Sequence, residues 1–514
     1  MPPDGPALPA NDAVDHPIGD RAVIMALVIL CLLCMGHALY SLHRGLLSPV
    51  LESQGFRESQ TALSAYWLWR GGPWFAYETP VLGAPWSIPF EFPVYQGLVA
   101  MLRALGVPIA VGGRLVAFAA YLGCLWPLWM LSRTLRFSTT TFLTVSAVVL
   151  AAPVYLVWGR TVLMETTAVF FGLLWLASVA AFLDRPRWPV ALGAFAAGSL
   201  GVLVKSTTFP AFAVVGGLLI LGYYYRARSE YWRTLPLTAL ALVGPFVIGF
   251  AWVAFTDAVK RSNDIGLLLT SDRLVGWNFG VLARRFDLAA WRDLVLMRSI
   301  PEMFGYGGIV ACAVLGGLFL SRRHAVAAAG SAAGFVAALL IFMPLHVGHA
   351  YYLAAIALLG LVTVGLALAA ILDSGHRVAG LAMLVAMLAG QLYYFHGTYA
   401  PWFSGDHWSR KTHQAGFLTR IHTDRGDGII VLGIDWSSEI AYYSERRSVT
   451  VPGWLPKDLK RRLFADPQRF LGSARFGAVV WCAWTGTDDL DRAFVADRRV
   501  LASVDDCKIL AAQR

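Results

Sequence analysis

TTFLTVSAVVLAAPVYLVWGRTVLMETTAVFFGLLWLASVAAFL, residues 140–183, carries two charged side chains, Arg160 and Glu165, in 44 positions. A helix crosses the hydrocarbon of a bilayer with about 20 apolar residues, because every backbone polar group there has to be bonded within the segment. The stretch is therefore too long for one crossing and long enough for two. The polar break WGRT at 158–161 marks the hairpin between them. The following apolar stretch, 188–225, divides in the same way at LVKSTTFP, 203–210.

Working outward with the same length rule, the spans expected are 22–40, 112–131, 140–158, 162–183, 188–204, 207–225, 235–256, 302–321, 325–343, 350–372 and 378–396. The composition agrees: 57% of residues are hydrophobic and only 14% charged, with a mean hydropathy of +0.59, where soluble domains carry about 25% charged residues. The net charge of +10 does not point to nucleic acid, because no basic run is interleaved with aromatics in a soluble domain.

The arginines orient the bundle. With a cytoplasmic N-terminus, the inside connectors hold Arg133, Arg136, Arg185, Arg187, Arg226, Arg228, Arg233, Arg322, Arg323 and Arg377, and the short outside connectors hold Arg160 and Lys205. Short loops rich in Arg and Lys stay cytoplasmic. Eleven spans then leave the C-terminus outside. The first apolar segment, 21–40, has one preceding cation and no small-residue cleavage site, so it reads as a retained anchor.

The expected fold class is an all-α polytopic membrane bundle with a small α/β C-terminal domain. Residues 1–20 read as a disordered cytoplasmic tail and 21–396 as the membrane domain. Its larger outer loops are 41–111 and 257–301, and residues 397–514 read as a periplasmic domain. In that domain GIIVLGI, SVTV and FGAVVWCAW read as buried strands, alternating with helical stretches near SSEIAYYSER and PKDLKRRLFADPQRFL. Cys482 and Cys507 lie there, either as two buried thiols or as a disulfide in an oxidising compartment. Cys31, Cys34, Cys124 and Cys312 fall in apolar segments and behave as small hydrophobes.

The groups able to do chemistry collect on the outer side. The first outer loop contains Arg57 and Glu58 at the start of a helical stretch with interspersed Trp and Tyr, and Glu78 and Glu91 in Pro- and aromatic-rich segments. A lone Glu at a helix start is ordinarily a carboxylate stabilised by the helix dipole. Arg160, Glu165, Lys205, His346 and His349 all fall at outer ends of spans or in outer hairpins. Singly each reads equally well as an interfacial side chain or a structural pair such as Arg160 with Glu165. Together they read as a site, since ionisable groups at a bilayer usually face a polar cavity or a partner. A carboxylate facing several cations suits transfer from a phosphate-linked donor: the carboxylate takes the acceptor's proton and the cations stabilise the departing phosphate.

Several motifs resemble a known family. RESQTA at 57–62 resembles the Asp-Glu-x-x-Tyr-Ala signature of the C-type membrane glycosyltransferases that use polyprenyl-phosphate sugars, in the branch of the protein O-mannosyltransferases and the lipid A aminoarabinose transferase. EFPVYQGL at 91–98 resembles that family's Lys-Pro-Pro-Leu-x-x-Trp-Leu element, and GRLVAF at 113–118 its Arg-Leu-Pro-containing second span. GRTVLMETTAVFF resembles its Arg-x-x-x-x-Asp hairpin, LVKSTTFPAF its Lys-Gly hairpin, and HVGHAYYLAAIALL its late helix. The family's leading Asp falls on Arg57 and its later lysine on Glu91.

The resemblance implies an inverting glycosyltransferase of a bacterial-type inner membrane, acting on its outer face. Its partners would be a polyprenyl-phosphate sugar donor, membrane lipids and an envelope acceptor, with no nucleic acid. Glu58 is the expected base, with Glu78 or Glu91 as the alternatives. Arg57, Arg160, Lys205 and His349 would bind the phosphate, and Glu165, His346 and Tyr351 would support them. Glu58 with His346 and His349 has the ligand types for a divalent ion, so metal dependence stays open.

Two other classes remain. A transporter or flippase would place charges near the bilayer midplane within a repeated fold, and no repeat is visible. An envelope scaffold would need no site at all. A nucleotide-sugar enzyme fits poorly, because there is no P-loop or Gly-rich strand-to-helix turn, and the acidic triplet Asp489-Leu490-Asp491 reads as a helix start.

Overall fold

The computed structural model describes residues 17–50, 54–226, 231–483 and 487–513. Residues 1–16 of the expected tail, Arg228 and Trp484 lie outside the described residues. The first helix, Pro17–Gly45, begins inside the stretch read as a tail.

Among the described residues, seven helices are long and apolar enough to cross a membrane: Arg21–Gly45, Ile109–Thr134, Glu165–Asp184, Thr234–Lys260, Leu288–Leu320, Arg322–Ile341 and Arg377–Thr398. Four apolar helices are shorter: Thr139–Leu150, Trp188–Val204, Phe209–Tyr225 and Ala357–Asp373. The chain is thus a multi-pass membrane protein. Each helix falls on one of the segments expected from hydropathy, with local differences that have physical causes.

The expected span 140–158 breaks at Ala151 and Ala152, because Pro153 cannot donate to the preceding turn and opens a new short helix, Pro153–Trp158. The span expected at 302–321 starts earlier, at Leu288, through a π-helical segment at Arg292–Ser299, so the last part of the expected aqueous loop 257–301 is helix. The expected span 350–372 opens as a 3-10 turn, Ala350–Ala355, before its helix begins. Phe250, Ile309 and Phe319 stand exposed on span helices, as side chains facing lipid do.

The C-terminal region forms a five-stranded sheet in the order β2-β1-β3-β5-β4, with β1 at Asp427–Leu432, β2 at Arg447–Val451, β3 at Arg475–Cys482, β4 at Val500–Val504 and β5 at Cys507–Ala511. β1 runs parallel to β2 and β3, and β5 is antiparallel to β3 and β4. The three strands read from sequence are β1, β2 and β3; the closing hairpin β4–β5 is an addition of the structure, built from two five-residue strands whose short apolar runs are broken by Ser503 and Lys508. Cys482 and Cys507 face each other across β3 and β5 and form a disulfide. The acidic triplet is a helix start: Asp488 caps Asp489–Val495 in a capping box with Asp491, and Lys460 binds both Asp488 and Asp491.

The sheet is docked on the first outer loop. The β2 edge receives the loop at Pro80 and Val81, with Ser448 N donating to Pro80 O (2.9 Å) and Thr450 N to Val81 O (2.7 Å). Asn263 Nδ2 ties the same loop to the segment after the Thr234–Lys260 helix by donating to the carbonyls of Gly83 and Pro85, each at 2.9 Å. One apolar cluster joins Leu63, Leu82 and Ile88 with Ile265, Ile430 and Val449. The three segments expected to be aqueous and outer therefore pack together on one side of the bundle.

Candidate active site

The site is built from the first outer loop and two helical hairpins. The helix Gly55–Trp69 places Arg57, Gln60, Thr61 and Ser64 at positions i, i+3, i+4 and i+7, which is one helical face. All four line a small pocket of about 10 Å³, room for one water, together with Tyr77, Thr79, Phe90, Glu91, Gln96 and Met164.

Glu91 is held opposite Arg57 by its neighbours. Phe90 N donates to the Tyr77 hydroxyl and Phe90 O accepts from Trp252 Nε1, each at 2.9 Å, while Phe92 N donates to Leu203 O at 2.9 Å. These bonds pin residues 90–92 between the Thr234–Lys260 and Trp188–Val204 helices. Arg57 then donates to Glu91 Oε1 and to Gln60 Oε1. Burial opposes the Arg57 charge, but Glu91 first, and then Tyr351, Tyr352 and Glu165, hold its pKa above the ordinary guanidinium value.

The second ion pair comes from the hairpin of Glu165–Asp184 and Trp188–Val204. The turn between these antiparallel helices is short, so the first residue of one and the residue that ends the other meet at the same end. Glu165 sits at a helix N-terminus and Lys205 at a helix C-terminus, each at the dipole end that suits its charge. Lys205 Nζ donates to Glu165 Oε1, with the side chains 3% and 1% exposed. Glu165 Oε2 is buried without a hydrogen-bond partner. The expected structural pair of Arg160 with Glu165 is not made.

The Tyr351 and Tyr352 rings flank the second pair: Lys205 Nζ lies 4.3 Å from the Tyr352 centroid and 5.4 Å from that of Tyr351. His349 packs at a tilt beside both rings and Trp277. Burial, and then Lys205, Arg57 and Arg298, push the His349 pKa down, so it is neutral near pH 7. His346 lies deeper and is lowered to about 3 by burial and then by Lys205 and Arg298. Arg298, on the π-helical segment, fixes this turn by donating to the carbonyls of His346 (2.6 Å) and Val347 (2.9 Å).

The remaining expected residues stand apart from the two pairs. Glu58 is fully buried on the other face of its helix, accepting from the backbone of Gln54 (3.2 Å) and Val162 (3.0 Å). Glu78 is in a bidentate bond with Arg447 of β2, whose guanidinium lies over the Trp67 ring. Arg160 is buried against the Phe403 ring, and a Cβ on Gly45 would collide with its guanidinium. Among the described residues no three His, Cys, Asp or Glu side chains gather to hold a metal ion, so the expected set of Glu58, His346 and His349 does not converge.

Gln60, Gln96, Tyr352 and Arg298 were not singled out from sequence. The polar residues at 57, 60, 61 and 64 were the available signal for the first of them. Arg298 gave none, since a π-turn has no sequence pattern of its own.

Comparison with solved structures finds this fold in ArnT from Cupriavidus metallidurans. The TM-score is 0.60 in its apo state and 0.59 when bound to undecaprenyl phosphate, at 14% identity over 96% of this chain and 98% of that one. The arabinofuranosyltransferase AftD from Mycobacteria matches with a TM-score of 0.51 at 15% identity, over 97% of this chain and 42% of that one. No protein-family model matches the chain, and no curated protein matches it in sequence. The chain has the fold of the C-type membrane glycosyltransferases, as the motif order implied.

Proposed function

We propose that this chain is a glycosyltransferase that moves a sugar from a polyprenyl-phosphate donor to an envelope acceptor, with Glu91 as the base. The observation that carries the reading is a pair of ion pairs on one side of the bundle, the half-buried Arg57–Glu91 and the buried Lys205–Glu165, with Lys205 beside the Tyr351 and Tyr352 rings. The fold shared with ArnT, one structure of which holds undecaprenyl phosphate, supports the donor class.

In the proposed reaction the acceptor hydroxyl oxygen attacks the anomeric carbon as the bond from that carbon to the phosphate oxygen breaks. The acceptor proton passes to Glu91, and the electron pair leaves on the polyprenyl phosphate. One displacement inverts the anomeric centre. Glu91 suits the base because its side chain is 19% exposed and lines the pocket, whereas both oxygens of Glu58 accept backbone N–H bonds. Lys205 and Arg57 each have more N–H donors than their carboxylate partners accept, so they stabilise the charge gathering on the leaving phosphate. Neutral His349 adds a ring N–H, and Tyr351 forms the wall behind it. Glu165 holds Lys205 in place.

The site is assigned to the outer, periplasmic face of an inner membrane, with a cytoplasmic N-terminus and eleven crossings. The arginine asymmetry of the connectors supports this side. So does the Cys482–Cys507 disulfide, which belongs in an oxidising compartment.

The test compares envelope glycolipids and glycoproteins by mass spectrometry from cells with the wild type, without the protein, and with Glu91→Gln. A product carrying an added sugar should be present in the first and absent from the other two. Persistence of that product with Glu91→Gln would remove Glu91 as the base. Sugar-lipid appearing across the membrane with no new glycosidic bond would replace the reading by transport.

A further inference from the structure

We infer that the groove between the helix Lys411–Ile421 and strand β4 is a docking site for an uncharged saccharide, the glycan part of an acceptor; that role rests on the glycosyl transfer proposed above. The groove has a volume of about 340 Å³, within the range of about 300–1,000 Å³ usual for small-molecule sites. Alternate side chains of a strand point to opposite faces of a sheet, and this sheet uses both. Ile430, Val479 and Leu510 face the cluster shared with the first outer loop, whereas Ile429, Val480 and Cys507 face Ala415 and Leu418 of the helix. The groove lies with the second face, apart from the loop that carries Arg57 and Glu91.

The walls are held in place. Trp408 and Phe417, each more than half exposed, supply two aromatic surfaces, and Leu418 and Val504 supply the apolar floor. Asp406 fixes Trp408, since its Oδ1 accepts from Trp408 N (3.1 Å) and Ser409 N (3.2 Å). Lys411 Nζ donates to Asp506 in the β4–β5 turn at 2.9 Å, which ties the start of the helix to the hairpin. Val504 pairs with Cys507, whose disulfide to Cys482 anchors that hairpin to β3.

The chemistry of the lining chooses the ligand. His413, Gln414 and Ser503 place polar groups beside the rings, and among the described residues the lining has no charged side chain. His413 Nδ1 meets Trp408 O at 2.9 Å; a carbonyl only accepts, so Nδ1 carries the hydrogen and Nε2 offers a lone pair. Burial lowers the pKa of this ring, so it is neutral near pH 7. A sugar ring presents C–H groups on its face and hydroxyls at its rim. The electron-rich face of Trp408 or Phe417 suits the first, and His413, Gln414 and Ser503 suit the second. A charged sugar finds no counter-ion here. A lipid surface fits less well, because the polar groups interrupt the apolar face and the helix commits Lys411 to Asp506 and Arg420 to Glu445.

The full-length protein in lipid nanodiscs is titrated by calorimetry with the neutral trisaccharides maltotriose, mannotriose and arabinotriose, and with trigalacturonic acid. At least one neutral probe should bind with a Kd on the order of 1 mM or tighter, and the acid should not bind. Trp408→Ala should weaken that binding by about tenfold and Gln414→Leu by about threefold, with unfolding midpoints like that of the wild type. Glu91→Gln, which abolishes transfer in the proposed reaction, should bind the probe as the wild type does, so docking and transfer are read separately. Absence of binding by all three neutral probes, or equal binding by Trp408→Ala, overturns the docking site and leaves the transfer reading standing. Loss of binding in Glu91→Gln overturns it by placing the saccharide at the ion pairs. Quenching of Trp408 emission by brominated lipid, taken as wild type minus Trp408→Phe, overturns it in favour of the membrane surface.

Discussion

Arg57 donates a hydrogen bond to Glu91 across 34 residues of chain, and the pair occupies the two positions where the resembling family carries an acid and a lysine, with the signs exchanged. Proximity is kept while polarity is reversed. Arg57→Asp or Glu91→Lys alone should then lower transfer by at least about 100-fold, because each leaves two like charges in contact. The double variant should recover to within about tenfold of wild type. The measurement is product formed per minute by purified protein, and a double variant no better than either single one removes the exchange argument.

In the proposed reaction Glu91 serves the chemistry and Glu58 the structure. Glu91→Gln should reduce kcat by roughly 10²–10⁴-fold with little change in thermal stability. Glu58→Gln should do the reverse, costing about 1–3 kcal/mol of stability through its bonds to Gln54 and Val162. Rates and unfolding midpoints of the two variants side by side decide it.

Lys205 and Glu165 form a pair that cannot be halved cheaply. Lys205→Met leaves a buried carboxylate uncompensated and should destabilise by about 3–5 kcal/mol. Adding Glu165→Leu should restore most of the stability and none of the binding to decaprenyl phosphate. A double variant that is stable and still binds the lipid phosphate would take Lys205 out of the donor site.

Acid should loosen the turn that carries His346. Its pKa falls from the ordinary 6.5 to about 3 in the folded protein, through burial and then Lys205 and Arg298. A base whose folded pKa is depressed is held neutral, so unfolding takes up a proton. Its contribution is fully present above pH 6.5 and is lost as pH falls from 6.5 toward about 3. His346→Gln should flatten that part of the Tm-against-pH curve; an unchanged curve would assign the acid sensitivity elsewhere.

The disulfide closes 25 residues between Cys482 and Cys507. Cys482→Ser should cost the C-terminal domain about 3 kcal/mol by the loop-entropy relation. Alkylation of the protein from cells, with and without prior reduction, should find these two thiols blocked until reduced. Free thiols in freshly isolated membranes would place the domain on the reducing side.

Much of the fold is legible because membrane insertion is a local rule. Hydropathy over about 20 residues decides whether a helix can sit in lipid, and each expected apolar segment coincides with an apolar helix. The boundaries moved where a local feature intervened, as at Pro153 and at the π-helical turn near Arg298. The outer groups were legible as a set because charge beside lipid is costly. Their partners were not. The sequence offered Arg160 beside Glu165 and Glu58 as the base, whereas Glu165 reaches Lys205, 40 residues on, and Glu58 serves the backbone.

What the chain determined by itself, then, is which segments are apolar and which side their polar ends share, since both follow from the solvent preference of consecutive residues. The fold of the polar groups is a different kind of fact. Arg57 meets Glu91 because Phe90 and Phe92 are bonded to Tyr77, Trp252 and Leu203, and Lys205 meets Glu165 because the two helices of their hairpin pack antiparallel. A pairing across tens of residues depends on how whole helices pack, and that is settled by the tertiary structure and not by any window of sequence.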